Sequence, residues 1–202
     1  MTKFRAITAD DLMDMASYGA ERRQYRSQII AMKKHRRLSI GPFATLYFEN
    51  FDTMLAQIQE MLWIEKGGPA QLADELTAYN PLVPRGRELV ATLMFEIDEP
   101  DRRTRVLQEL TGVENRVSLQ IGDAVIVARP DQEDGVDRTK EDGKTSAIHF
   151  LHFPLSTTQI RDFTSETARV VAAIDHPNYG HMSIMTAATR QSLRGDLDIE
   201  NA

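Results

Sequence analysis

The order of patterns along the chain predicts an α+β protein: N-terminal helices, then a mainly antiparallel sheet with packed helices, in one compact domain over residues 1–202. Three observations predict it. Residues 1–80 carry helical apolar periods interrupted by one short hairpin. Residues 84–202 carry two-residue alternation in segments joined by turn residues, with helices between them. Neither internal repeats nor the regular strand–helix–strand alternation of a doubly wound parallel sheet is present.

Taken in order, Thr8 followed by Ala9, Asp10 and Asp11 reads as a helix start, with acids at the positive end of the helix dipole. A short helix to about Tyr18 follows. A second helix, Ala20 to about Arg36, places Tyr25, Ile29 and Met32 on one side. Arg22, Arg26, Lys33 and Arg37 crowd an adjacent arc, either as a solvated face whose long side chains cover apolar surface or as a patch for anions or acidic partners.

The best-defined unit follows. A Gly41-Pro42 turn separates two strands, the second being Ala44–Glu49, and a helix begins at Asp52, whose carboxylate suits an N-cap. Met54, Leu55, Ile58, Met61 and Leu62 form one stripe, and Gly67-Gly68-Pro69 ends the helix. Trp63 falls away from that stripe, so it packs under another part of the chain or anchors a partner.

Pro69 opens another helix that ends near Tyr79-Asn80, and Pro81 and Pro84 enforce an extended connection. Glu88–Ile97 alternates as a strand. Asp98-Glu99-Pro100-Asp101 opens a helix carrying Val106, Leu107 and Leu110, with Gly112 just beyond its end. Strands Arg116–Ile121 and Ala124–Ala128 flank the hairpin pair Gly122-Asp123. Residues 130–143 are charged, lack an apolar period and read as a mobile loop. Thr145–Phe153 returns to strand, Thr157–Phe163 to a short helix, and Arg169–Ile174 to a buried strand. Asp175 to Gly180 is turn chemistry, and a last helix runs from about Thr186 to Gly195.

Composition narrows the function. A net charge of −6 opposes a whole-protein role in coating nucleic acid or acidic membrane. With no cysteine, disulfides, thiolate zinc and thiolate-held iron–sulfur clusters are excluded, and no cofactor is implied. No apolar run approaches the roughly 20 residues of a membrane span. The N-terminus lacks the apolar core of a signal peptide, so a cytoplasmic location is expected.

Few motifs carry chemistry. Gly143-Lys144-Thr145 lacks the first glycine of a phosphate-binding loop, and the acidic loop has its glycine out of register for calcium. No Glu-x-x-His pair exists for a di-metal bundle. His149 and His152, three apart in a strand, point to opposite faces. His176 and His181 flank the turn beside Asp175, where two imidazoles and a carboxylate make a metal reading; the alternative is a turn held by Asp175 and Asn178. Glu49, Asn50, Gln57 and Glu60 supply polar groups at the hairpin-to-helix junction, behind Arg36 and Arg37, where an anionic ligand could sit with Glu49 or Glu60 as acid or base.

The stretches Arg36–Pro42, Phe48–Asn50, Asp52-Thr53, Gln57–Leu62, Tyr79–Leu82, Ala91–Met94 and Asp175–Tyr179 together resemble a bacterial family, domain of unknown function 3501, over most of the chain. The resemblance implies a gene neighbourhood shared with rubrerythrin-like proteins and iron–sulfur or flavin oxidoreductases, and it supplies no catalytic residues. The expected function is an accessory or interaction protein of a redox or peroxide-stress system, with Arg22, Arg26, Lys33, Arg36 and Arg37 facing a protein partner. A homodimer is left open. The alternative is a small-anion-binding protein or a metal-dependent enzyme using Asp175, His176 and His181.

Overall fold

The computed structural model describes residues 4–131 and 144–200; most of the expected loop at 130–143 lies outside the described residues. A single turn of 3-10 helix, Ala9–Asp11, comes first, with the Thr8 N–H donating to Asp11 at 2.8 Å. Met13 then pairs both its backbone groups with the buried Gln59 side chain, at 2.8 and 3.1 Å. Asp14 accepts the N–H groups of Ala16 and Ser17, both at 3.0 Å, and so starts helix α1, Met15–Lys33. One helix thus replaces the two expected. Gly19 lies within it, because a lone glycine costs only about 1 kcal/mol and does not stop a supported helix.

Strands β1 (Arg37–Ile40) and β2 (Ala44–Glu49) form the expected hairpin and lead into α2 (Phe51–Glu65). Its cap is Asn50 rather than Asp52. Asn50 Oδ1 accepts the Thr53 N–H at 2.9 Å, and Thr53 Oγ1 accepts the Asn50 N–H at 2.9 Å, a reciprocal pairing that leaves Asp52 inside the first turn. Next come α3 (Gly68–Tyr79), β3 (Glu88–Phe95), α4 (Pro100–Glu109), β4 (Val117–Ile121), β5 (Ala124–Val127) and β6 (Arg129–Pro130). The chain ends with β7 (Ile148–Pro154), α5 (Thr157–Thr164), β8 (Val170–His176), β9 (Tyr179–Ile184) and α6 (Ala187–Arg194).

The fold is α+β and every paired strand is antiparallel, but the strands divide between two sheets, β1-β2-β3-β7-β6 and β5-β4-β8-β9. The chain crosses from one to the other at Ala128. Leu46, Phe48, Leu93, Leu151 and Phe153 of the first sheet meet Leu119, Ile121, Val170, Ala172 and Ile174 of the second in one buried cluster. Each such side chain, fully buried, contributes about 1.5–3 kcal/mol, so this layer is the main source of stability. The opposite face of the first sheet presents Val90 to Met54 and Ile58 of α2, together with Ile7 and Leu82. The layers therefore run helices, first sheet, second sheet. No helix among the described residues is long and apolar enough to cross a membrane.

Strand β9 departs from the expected turn. Asp175 to Gly180 is a hairpin in which Pro177 and Asn178 alone are unpaired, with His176 opposite Tyr179. Beyond it Gly180, His181, Met182 and Ile184 are all exposed, so the edge strand shows no burial alternation to read.

Candidate functional site

The predicted cations do not form one surface. On α1, the positions Tyr18, Arg22, Tyr25, Ile29 and Met32 make a single narrow seam against α2, and only Tyr18 is fully buried. Glu60 of α2 receives the Tyr18 hydroxyl at 2.7 Å, Arg22 through Nε at 3.1 Å and through Nη2, and Arg26 at 3.4 Å. The Arg22 hydrogen bond, aided by Tyr18, holds the Glu60 carboxyl below its ordinary range; burial and Glu60 push the Tyr18 phenol up. A candidate acid or base and two candidate partner-binding arginines are therefore one structural clamp.

Arg36 lies beyond the end of α1 and is buried. It donates to the carbonyls of Phe48 and Glu49, both at 3.0 Å, to the Ser192 carbonyl at 3.3 Å, and to the Asp196 carboxylate. It ties the hairpin to the end of α6. Arg37 is exposed on β1, not on the helix, and Lys33 is half-buried in the last turn of α1.

The junction residues are likewise occupied. Glu49 is buried and accepts the hydroxyls of Thr53 at 2.7 Å and Thr92 at 2.9 Å. Asn50 caps α2. The Gln57 amide lies 3.5 Å from the Tyr79 hydroxyl and helps seat α3. Asn50 borders a small cavity of about 230 Å³ shared with Phe51, Asp52 and Asp196.

The Asp175–His181 hairpin does not assemble a ligand set. His176 and His181 share a face with Tyr179, because opposed residues of a ladder project together, while Asp175 projects from the other side. The His176 ring accepts the Asn178 N–H at 3.2 Å and lies 3.2 Å from the Thr111 carbonyl. His181 stacks edge-on against Tyr179, with centroids 4.5 Å apart. Among the described residues no three His, Asp or Glu side chains are grouped to hold a metal ion. His149 is buried, with Nε2 2.9 Å from the Ser146 carbonyl, and His152, on the opposite face, meets Glu88 at 2.9 Å.

A further cavity lies elsewhere, among the ends of three helices. It encloses about 690 Å³ and is lined by Met15 and Ala16 of α1, Leu62 and Trp63 of α2, and Pro69 and Leu72 of α3, with Lys66 at its side. That volume and apolar lining are typical of a binding pocket. Trp63 lines it and packs edge-on against Tyr18 at 5.8 Å, so it is both tucked under α1 and open to the cavity. Arg22 and Lys66 flank its ring at 5.9 and 6.0 Å. Lys66 holds the left-handed conformation that ends α2, and α3 carries no fully buried residue. The off-stripe position of Trp63 was the only sequence signal for this site.

A search of curated proteins finds no match. A crystal structure of a novel protein of unknown function from Burkholderia pseudomallei K96243 is similar to this one: TM-score 0.87, 37% identity, covering 96% of this chain and 100% of that one. The family described as Protein of unknown function (DUF3501) matches residues 6–197. The chain therefore belongs to the DUF3501 family.

Proposed function

We propose that this protein is a cytoplasmic accessory subunit that docks a protein partner at the helical end of the molecule. The observation that carries this reading is the apolar cavity backed by Trp63, where an aromatic anchor, half-exposed aliphatic groups and the cation of Lys66 converge. Aromatic side chains are enriched at interface centres, and polar groups gather at their rims. Arg23, exposed on α1, adds a further cation on an acidic protein. That contrast steers acidic partners. The family resemblance points to a rubrerythrin-like protein or an iron–sulfur or flavin oxidoreductase as the partner class.

Capture from native cell extract at low salt, with Lys66→Glu and Trp63→Ala variants alongside, tests the reading. A rubrerythrin-like or oxidoreductase protein recovered by the parent chain, released by high salt and lost in both variants, supports it. Equal recovery by the variants, or none by the parent with those partners expressed, defeats it.

A small-molecule reading is supported by the same cavity, whose size suits an apolar monoanion paired with Lys66. Saturable quenching of Trp63 by medium-chain fatty acids, abolished in Lys66→Ala, favours that ligand over a protein.

A further inference from the structure

Helix α3 is anchored at its C-terminal end. There Leu76 and Tyr79 pack against the buried cluster of Ile7, Met54, Ile58 and Leu82. The next residue, Asn80, accepts the Ile7 N–H at 2.7 Å and donates to the Ile7 carbonyl at 3.0 Å. The other end is looser. Pro69, Ala70, Ala73 and Asp74 are exposed, and Gln71 and Leu72 are half-buried. Gln71 ties this end back to α2: its Oε1 accepts the Gly67 N–H at 2.7 Å, and its Nε2 donates to Glu65 at 3.0 Å and to Glu75 at 3.2 Å. Pro69 and Leu72 line the Trp63 cavity.

Between α2 and α3 the backbone passes through Lys66 at φ +54°, then Gly67, then Gly68 at φ +74°. All three residues are exposed. A Cβ on Gly68 would meet nothing within 4 Å, so glycine serves the backbone conformation there and not a close approach. Exposed junctions of this kind absorb the φ and ψ changes of a moving element. We propose that α3 is a lid on the Trp63 cavity, pivoting at Tyr79-Asn80, jointed at Gly67-Gly68 and latched by Gln71. This deepens the docking reading and rests on it, since the lid closes on the apolar group that the partner inserts beside Trp63.

The 12 residues of α3 span about 18 Å, so a tilt of about 15° at the anchored end moves the other end by about 5 Å. That movement carries Pro69 and Leu72 toward Met15 and Ala16 of α1, which line the same cavity. Closure removes apolar lining from water, and it strains the Gln71 bonds across the joint. An apolar group in the cavity adds contacts to Leu72 and Pro69 in the closed state and shifts the balance toward it. With no fully buried side chain to hold it, α3 belongs to the part of the molecule that opens most readily.

The chain has no cysteine, so a pair of introduced thiols reports closure without interference. A disulfide forms where the two Cα atoms come within about 4.4–6.8 Å. In Ala16→Cys/Leu72→Cys, and independently in Met15→Cys/Pro69→Cys, mild oxidation is expected to give an intramolecular disulfide. Ala16→Cys/Ala78→Cys, with one thiol at the pivot end, is expected to give none. Adding Gln71→Ala is expected to speed disulfide formation at least threefold with an unchanged circular dichroism spectrum. Acrylamide quenching of Trp63, the sole tryptophan, is expected to fall at least twofold in the oxidised pairs and to recover on reduction. No disulfide in either cavity pair, an equally fast one in the Ala78 pair, a rate indifferent to Gln71→Ala, or quenching unchanged by the lock overturns the proposal. These readouts need no partner. A lid that closes in a chain that captures nothing counts against the docking reading alone, and capture by the locked form equal to the parent's counts against the lid alone.

Discussion

The Tyr179 hydroxyl donates to the Ile40 carbonyl at 2.6 Å and accepts the Ala44 N–H at 3.1 Å, so a residue of the second sheet closes the β1–β2 turn of the first. Between those partners lies Gly41, at φ +72°, with no room for a side chain: a Cβ there meets Tyr179 Oη and the His181 ring at 2.6 Å. Two of the stretches that carry the family resemblance, around Gly41-Pro42 and around Asp175–Tyr179, meet at this point.

Tyr179→Phe is expected to destabilise the protein by about 1–3 kcal/mol, since it strands a buried carbonyl. Gly41→Ala costs more, because it adds left-handed strain to the steric conflict. Urea unfolding monitored by circular dichroism reads both, and Tyr179→Phe matching the parent would remove the hydroxyl's role.

Arg36→Met leaves Asp196 buried without its partner and is expected to cost about 3–5 kcal/mol near neutral pH. Burial pushes the Asp196 carboxyl up to about 6, against the pull of Arg36. Its folded value thus lies above the unfolded value of about 3.9. The folded protein binds the extra proton between those values, so this group's contribution to stability is greatest below about pH 4 and is lost as pH rises through about 6. In Asp196→Asn that pH dependence vanishes, and the penalty of Arg36→Met shrinks at pH 5. Unfolding midpoints at pH 5 and 7.5 for the parent and both variants measure it.

Glu60→Gln weakens the seam between α1 and α2 by about 1–2 kcal/mol, the scale of a charge-assisted hydrogen bond. The Glu60 carboxyl is held below its ordinary range by Arg22. Its contribution is therefore present above the unfolded value of about 4.3 and is lost as pH falls through the folded one. Hydrogen exchange is the sharper readout: α1 amides are expected to lose protection in the variant while the sheets keep theirs.

Gly19→Ala places a Cβ 2.7 Å from the Trp63 ring and forces the indole toward the cavity. Trp63 is the sole tryptophan, so its emission should shift to longer wavelength with little change in sheet signal. An unshifted spectrum would mean that α1 moves instead.

Local pattern carried much of the fold. The strand expected over Glu88–Ile97 and found at Glu88–Phe95, and the hairpin at Gly122-Asp123, are set by residues within a few positions of one another. Strand β9 and the single helix α1 did not follow, because exposed edge residues show no burial alternation and because Met13 is fixed by Gln59, a distant residue.

The sequence by itself determined an α+β chain of antiparallel strands, without cysteine chemistry and with the stripe by which α2 meets its sheet, since backbone propensity and apolar period are local. Only the tertiary structure decided what the polar residues do. Arg36 is a buried tie to Asp196, Glu60 a clamp for Arg22 and Tyr18, and Asp175 is turned away from His176. A charged side chain is a surface group or a structural one according to the partner that folding brings to it. For Arg36 that partner is 160 residues away.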